Sequence, residues 1–200
     1  LTANFDYFAR TVANDKLQAT VMIDVIQHFN WNQFCILYES STYGLEGYTA
    51  TYLEARNRGL EVIYSSLLSR TGNMTDLMTK AEQAHCRIFV IWCIGSMCHN
   101  IVEAANQMKL LKPGVFEYVF SDGLITNEND WTDQDIKEGL IGSFAIAPSI
   151  PHSQALTNYN NAWTGANTPP LLNYAYYAYD TAVAMLAAFE SLEANMAASG

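Results

Sequence analysis

Two runs constrain this chain more than anything else in it. Phe34-Cys35-Ile36-Leu37-Tyr38 and Ile88-Phe89-Val90-Ile91-Trp92-Cys93 are apolar at successive positions rather than at alternate ones. A strand with one wet face alternates. A strand apolar throughout needs cover on both faces, as in a parallel sheet between two layers of helices. Each run passes through a short polar turn, Glu39 to Thr42 or Gly95-Ser96, into a helical pattern. The segments between follow suit: a helix from about Tyr43 to Arg58 stopped by Gly59, a strand Leu60 to Tyr64, a loop through Thr71-Gly72, and a helix from about Met74 to Ala84. A helix striped by Met97, Ile101, Ala105, Met108 and Leu111 ends at Pro113-Gly114, and a strand follows over Phe116 to Ser121. This β-α-β-α-β-α-β order predicts an α/β fold with a parallel sheet and right-handed crossovers.

In such sheets ligands gather at the carboxyl ends of the strands. That edge would receive Ser41 and Tyr43 after the first strand, Gly95 and Ser96 after the third, and Asp122 after the fourth. Spacing alone also allows plainer readings. Tyr43 could simply cover the first turn of its helix, and Asp122 could be a turn residue before Gly123.

The flanks are less regular. A strand is expected at Tyr7 to Val12. A helix from Asp15 to Phe29 follows, striped by Leu17, Val21, Val25 and Phe29 with Ile26 widening the stripe. Asn14 or Asp15 can cap it, with Gln18 three places after Asp15 in a near capping box. After Asp122 comes a polar connection from Gly123 to Gly139, then a strand Ile141 to Ala147 ending at Pro148. A helix from about Ser153 to Trp163 precedes a loop through Pro169-Pro170. The closing helix, Tyr174 to about Asn195, is apolar almost all round in its first half, which predicts burial between other elements. Tyr174, Tyr176, Tyr177 and Tyr179 are expected as core and interface aromatics.

Twenty acidic residues against ten basic ones leave a net charge of −10, a field that repels phosphate backbones and anionic lipid. Nucleic acid and membrane surfaces are therefore not expected as partners. No apolar window is long enough to span a bilayer, and no amino-terminal signal peptide is visible. The chain opens directly into a strand pattern, which reads as a natural start lying upstream of Leu1. Of the cysteines Cys35, Cys86, Cys93 and Cys98, the middle two bound one strand, roughly 23 Å apart at about 3.3 Å per residue. They cannot bridge. Cys93 and Cys98 can. A zinc site from His85, Cys86, Cys93, Cys98 and His99 fits no usual ligand spacing. Asn73-Met74-Thr75 is a glycosylation sequon in an expected exposed loop, which favours a secreted setting. Phosphate loops, nucleophile elbows and metalloprotease motifs are absent, so no catalysis and no cofactor are expected.

Further motifs carry a family resemblance: YFARTV at 7–12, Leu17-Gln18-Ala19, His28-Phe29-Asn30-Trp31 and Tyr43-Gly44. Trp92 to Met97, Phe120-Ser121-Asp122-Gly123, Gly139 to Gly142 and Tyr177 to Asp180 extend it. Together they resemble the ligand-binding region shared by natriuretic-peptide-receptor guanylyl cyclases and class C G-protein-coupled receptors. That group is related to type I periplasmic amino-acid-binding proteins. Each motif is weak alone; their order and spacing are specific, and they span nearly the whole chain.

The resemblance implies a type I periplasmic-binding-protein-like clamshell of Rossmann-like sheets with flanking helices. Residues 1–30 and 149–200 would belong to lobe 1, whose first half would be missing, and residues 31–148 to lobe 2 with its crossover. It also implies a sensory ectodomain on the extracellular side of a membrane receptor, taking an amino-acid-like small molecule or a peptide, with a homodimer through lobe 1 among its partners. A periplasmic binding protein serving a transporter is the alternative, and an enzyme on a flavodoxin-like sheet a third reading. By the resemblance, Tyr43 turns its ring to a ligand ammonium and Asp122 pairs with that ammonium. Ile94 stands where glutamate-binding members carry an acidic residue, which implies a ligand with a neutral or apolar side chain.

Overall fold

The computed structural model describes residues 9–69, 72–124, 131–163 and 173–199. The chain forms two compact units, Leu1–Ala13 with Ser149–Gly200, and Asn14–Pro148.

The larger unit is built on five parallel strands: β1 (Gln33–Glu39), β2 (Glu61–Leu68), β3 (Ile88–Trp92), β4 (Glu117–Phe120) and β5 (Phe144–Ala145). Their order is β2-β1-β3-β4-β5. Helices α1 (Asp15–His28), α2 (Thr42–Asn57), α3 (Met74–Gln83), α4 (Ser96–Gln107) and α5 (Gln134–Gly139) complete it. The two apolar runs lie side by side, with Ile36 opposite Val90 and Leu37 opposite Ile91. Because side chains alternate along a strand, each run feeds both faces. Phe34, Ile36, Ile88, Val90, Trp92 and Val119 form one buried cluster with Ala19, Met22, Ile23 and Ile26 of α1 and Ala55 of α2. Cys35, Leu37, Phe89, Ile91, Tyr118 and Phe120 form the other, under α3, α4 and α5. Continuous apolarity is thus explained by cover on both sides.

Helix α1 corrects two expectations. It was grouped with lobe 1 over residues 1–30, yet it packs on this sheet, and Arg58, at the C-cap of α2, holds it there through Asp24 and through Gln27 at 2.9 Å. The stripe it buries is Ala19, Met22, Ile23 and Ile26, while Leu17, Val21 and Phe29 are exposed. The helix carries two neighbouring apolar stripes, and the one with the i, i+3, i+4, i+7 pattern faces the sheet. Asn14 is the cap, accepting from the Leu17 N–H.

Three further differences concern length. The strand foreseen at Ile141 to Ala147 shrinks to Phe144–Ala145. The connection after Asp122 contains α5, capped by Asp133 and buried at Ile136. Strand β2 runs on to Leu68.

In the smaller unit, α6 (Gln154–Ala162) and α7 (Asn173–Ser199) are helical. Tyr159 of α6 meets Tyr176 and Tyr179 of α7 at ring distances of 5.6 and 4.6 Å, and Thr11 donates to the Tyr177 carbonyl at 3.2 Å. Burial of α7 is not found. Tyr174, Tyr179 and Val183 of its first half are exposed, as are Met185, Leu186, Phe189, Leu192 and Met196 beyond it. Residues 9–12 form no strand. Tyr7, Phe8, Thr71 and the Pro169-Pro170 loop lie outside the described residues.

Candidate functional site

The switch in strand order falls between β1, whose next strand lies to one side, and β3, which lies to the other. Loops leaving that edge diverge and open a crevice. Four of the residues expected there follow β1 and β3, and Asp122 follows β4.

The structure brings Tyr43 and Asp122 together: the tyrosine hydroxyl donates to Oδ1 of the aspartate at 2.5 Å. Tyr43 belongs to the first turn of α2, and its ring meets the buried Trp92 indole edge-on at 5.4 Å. Trp92 is fixed in turn, its Nε1 donating to Thr51 at 2.9 Å. The ring is therefore oriented at both ends, by a carboxylate and by an indole. Burial, then the bond to Asp122, pushes the Tyr43 pKa far above its ordinary value, so the phenol stays neutral. Tyr43 thus joins the first turn of α2 to Asp122 after β4 and to Trp92 of β3.

Close approach of the loops depends on Gly123. A Cβ there would run into the carbonyl of Cys93, so the side-chain-free residue after Asp122 lets the β4 loop lie against the β3 end. Gly95, at φ +59° and ψ −130°, opens α4 without a side-chain cap; a positive φ of this kind favours glycine. Ser96 is exposed beside it. The disulfide between Cys93 and Cys98 closes this turn, with Cα atoms 5.3 Å apart.

Ser41 is placed differently. Its hydroxyl caps α2 by accepting from the Gly44 N–H at 3.1 Å and donates to Glu39 Oε1 at 2.5 Å. Glu39, which the sequence reading passed over, is buried, and its other oxygen accepts from the Ile94 N–H at 3.1 Å. It ties the β1 loop to the β3 loop. Its signal was present: an acidic residue closing an otherwise apolar strand. Gln18 was also missed as a site residue. It is 8% exposed, and its Nε2 donates to Asp122 Oδ1 at 3.2 Å and to the Ile146 carbonyl. The cap of α1 is Asn14, and the amide of Gln18 is turned to Asp122 and Ile146. A glutamine on the buried face of a helix was the readable sign.

The cysteines are used in disulfides, Cys35 with Cys86 and Cys93 with Cys98. Among the described residues no group of three His, Cys, Asp or Glu side chains could hold a metal ion, and no helix is long and apolar enough to cross a membrane.

A five-stranded parallel sheet with flanking helices, wound to both sides of its switch point, is the architecture of a type I periplasmic-binding-protein-like domain. The chain belongs to the receptor family ligand binding region, whose family model matches residues 2–199. It is similar to a metabotropic glutamate receptor of Drosophila melanogaster, with 26% identity over 171 residues, 80% of this chain and 17% of the relative. It is also similar to glutamate receptor 3.7 of Arabidopsis thaliana, with 22% identity over 182 residues, 88% of this chain and 19% of the relative. The chain thus spans less than a fifth of the length of these curated relatives.

Proposed function

We propose that this chain is the extracellular ligand-binding domain of a membrane receptor, and that two lobes close on a small amino-acid-like ligand to signal across the membrane. Residues 31–148 with α1 supply most of one lobe, and residues 149–200 belong to the other. Asp122 takes the ligand ammonium, and the Tyr43 ring covers that ammonium with its negative face, a contact worth about 0.5–2 kcal/mol. Gly95 and Ser96 line the same edge, and Ser41 contributes through the loop it caps. Ile94, 46% exposed at this edge, favours a ligand whose side chain is neutral or apolar. The names of the two relatives support the amino-acid class. The observation that carries the reading is the Tyr43–Asp122 contact at the switch point of the sheet. Catalysis is no part of the proposal.

Calorimetry on the full-length protein against the twenty protein amino acids tests it. Asp122→Ala leaves a desolvated ammonium without its partner and should cost about 3–5 kcal/mol, a few hundredfold or more in affinity. Should an amino acid bind, and Asp122→Ala and Tyr43→Ala both leave its affinity intact, the amino-acid site is elsewhere. A screen in which no amino acid binds would turn the reading toward a peptide ligand.

A further inference from the structure

We infer that Gln18 is a positioning residue of this site, one that sets the aim of the Asp122 carboxylate; the inference rests on the ligand reading of Asp122 above. Gln18 projects from the second turn of α1 into the end of the sheet and is nearly inaccessible to water. Both amide hydrogens have acceptors. One meets Asp122 Oδ1 at 3.2 Å, and the other meets the carbonyl of Ile146, just after β5. The same Oδ1 also accepts the Tyr43 hydroxyl. Two donors from two helices on one oxygen leave the carboxylate little rotational freedom.

Ile146 is itself anchored, its N–H donating to the Phe120 carbonyl at 2.9 Å. The frame that holds Gln18 is therefore the backbone at the end of β4, two residues before Asp122. Gln18 thus closes a loop from helix to carboxylate to strand end. A buried amide in this position has little value for packing that an apolar side chain of equal length would not supply. Its particular contribution is direction.

The test uses the full-length protein with L-glutamate and L-alanine as calorimetric probes, since both carry the α-ammonium that Asp122 would hold. Gln18→Met keeps length and buries no new charge, so it carries the test even if Gln18→Glu, which sets a second carboxylate against Asp122, does not fold. Gln18→Met should weaken binding of whichever probe is taken up about tenfold. In an Asp122→Asn background the same change should cost less than about threefold, because the carboxylate it aims is gone. Equal losses in both backgrounds, accompanied by equal falls in melting temperature, would mean a packing role and overturn the inference. Unchanged affinity in Gln18→Met beside a large loss in Asp122→Asn would overturn it while leaving the ligand reading intact. Unchanged affinity in both variants, or no uptake by the wild type of any of the twenty protein amino acids, would remove the ligand reading and this inference together.

Discussion

The two edges of one sheet differ in what they offer a ligand. At the amino edge a shallow concavity of about 870 Å3 is lined by Asn30, Trp31, Gln33, Glu61, Arg87 and Glu117 among others. Its polar groups bond to near neighbours: Gln33 to Glu61 across adjacent strands at 2.8 Å, and Arg87 to the carbonyl of Cys86 at 2.9 Å. At the carboxyl edge the bonds reach across the fold instead: Gln18 of α1 and Tyr43 of α2 meet at Asp122 after β4, and Glu39 of β1 meets the backbone after β3. Parallel strands all point their carboxyl ends the same way, so loops that can vary without disturbing the core accumulate there.

Each edge also carries a disulfide, and their removal separates the edges most sharply. Cys35–Cys86 ties residues 51 apart, against 5 for Cys93–Cys98. The longer loop restricts the unfolded chain more, so replacing Cys35 and Cys86 by alanine should cost about 4 kcal/mol and the other pair about 2 kcal/mol. Denaturant melts of the two double variants measure this. Equal losses would mean that loop length is not what distinguishes the edges.

A change in the middle of the sheet should be felt at both. Ile91 is fully buried in β3 between Leu37 and Phe120. Ile91→Ala should cost about 2–5 kcal/mol, part of it the cavity left behind. A melt indistinguishable from the parent would contradict the burial of β3 between two helical layers.

Two tyrosines sharpen the comparison further. Burial, then the bond to Asp122, raises the pKa of Tyr43 above its ordinary value, and burial, then the charge of Glu117, does the same to Tyr118. A folded-state pKa above the unfolded one means stabilisation that is complete below a pH of about 10 and is lost as the pH climbs toward the folded value. Alkaline titration followed by phenolate absorbance should therefore show fewer than the chain's 12 tyrosines ionising while it stays folded, the remainder appearing on unfolding. Tyr43→Phe should remove one late-ionising group and cost about 1.5 kcal/mol through the lost bond to a carboxylate. If the titration of Tyr43→Phe loses an early-ionising group instead, the tyrosine is not enclosed as described.

What could be read from the chain beforehand follows from range. Strands β1 and β3 were legible because an unbroken apolar run has one common explanation, and the placement of Tyr43 after β1 and of Asp122 after β4 because strand ends can be counted along the chain. The Cys35–Cys86 pair was not, since it requires knowing that β1 and β3 are neighbours. The face of α1 was misjudged because Leu17 and Val21 are as apolar as Met22 and Ile23, and only the sheet distinguishes them. Glu39 and Gln18 escaped for a related reason. Their roles are made by partners far away in sequence, and a local reading offers each a sufficient local role.

The smallest expected effect concerns the residue that caps α3. Asn73 is exposed and caps α3, its Oδ1 accepting from the N–H groups of Thr75 and Asp76 at 3.0 and 3.3 Å. The cap uses the carbonyl oxygen of the side chain, whereas a glycan would be attached through its amide nitrogen, so one residue can serve both purposes. We propose that it does when the protein is made in a secretory host. Asn73→Ala should lose the cap and about 1 kcal/mol with it, whereas Asn73→Asp should keep the cap and lose only the glycan. Melts of unglycosylated protein measure the first effect; the mass of secreted protein before and after glycosidase treatment measures the second. A mass that glycosidase leaves unchanged would show that exposure and a sequon are not enough here. A melt of Asn73→Asp as low as that of Asn73→Ala would show that the cap needs the neutral amide rather than an acceptor alone.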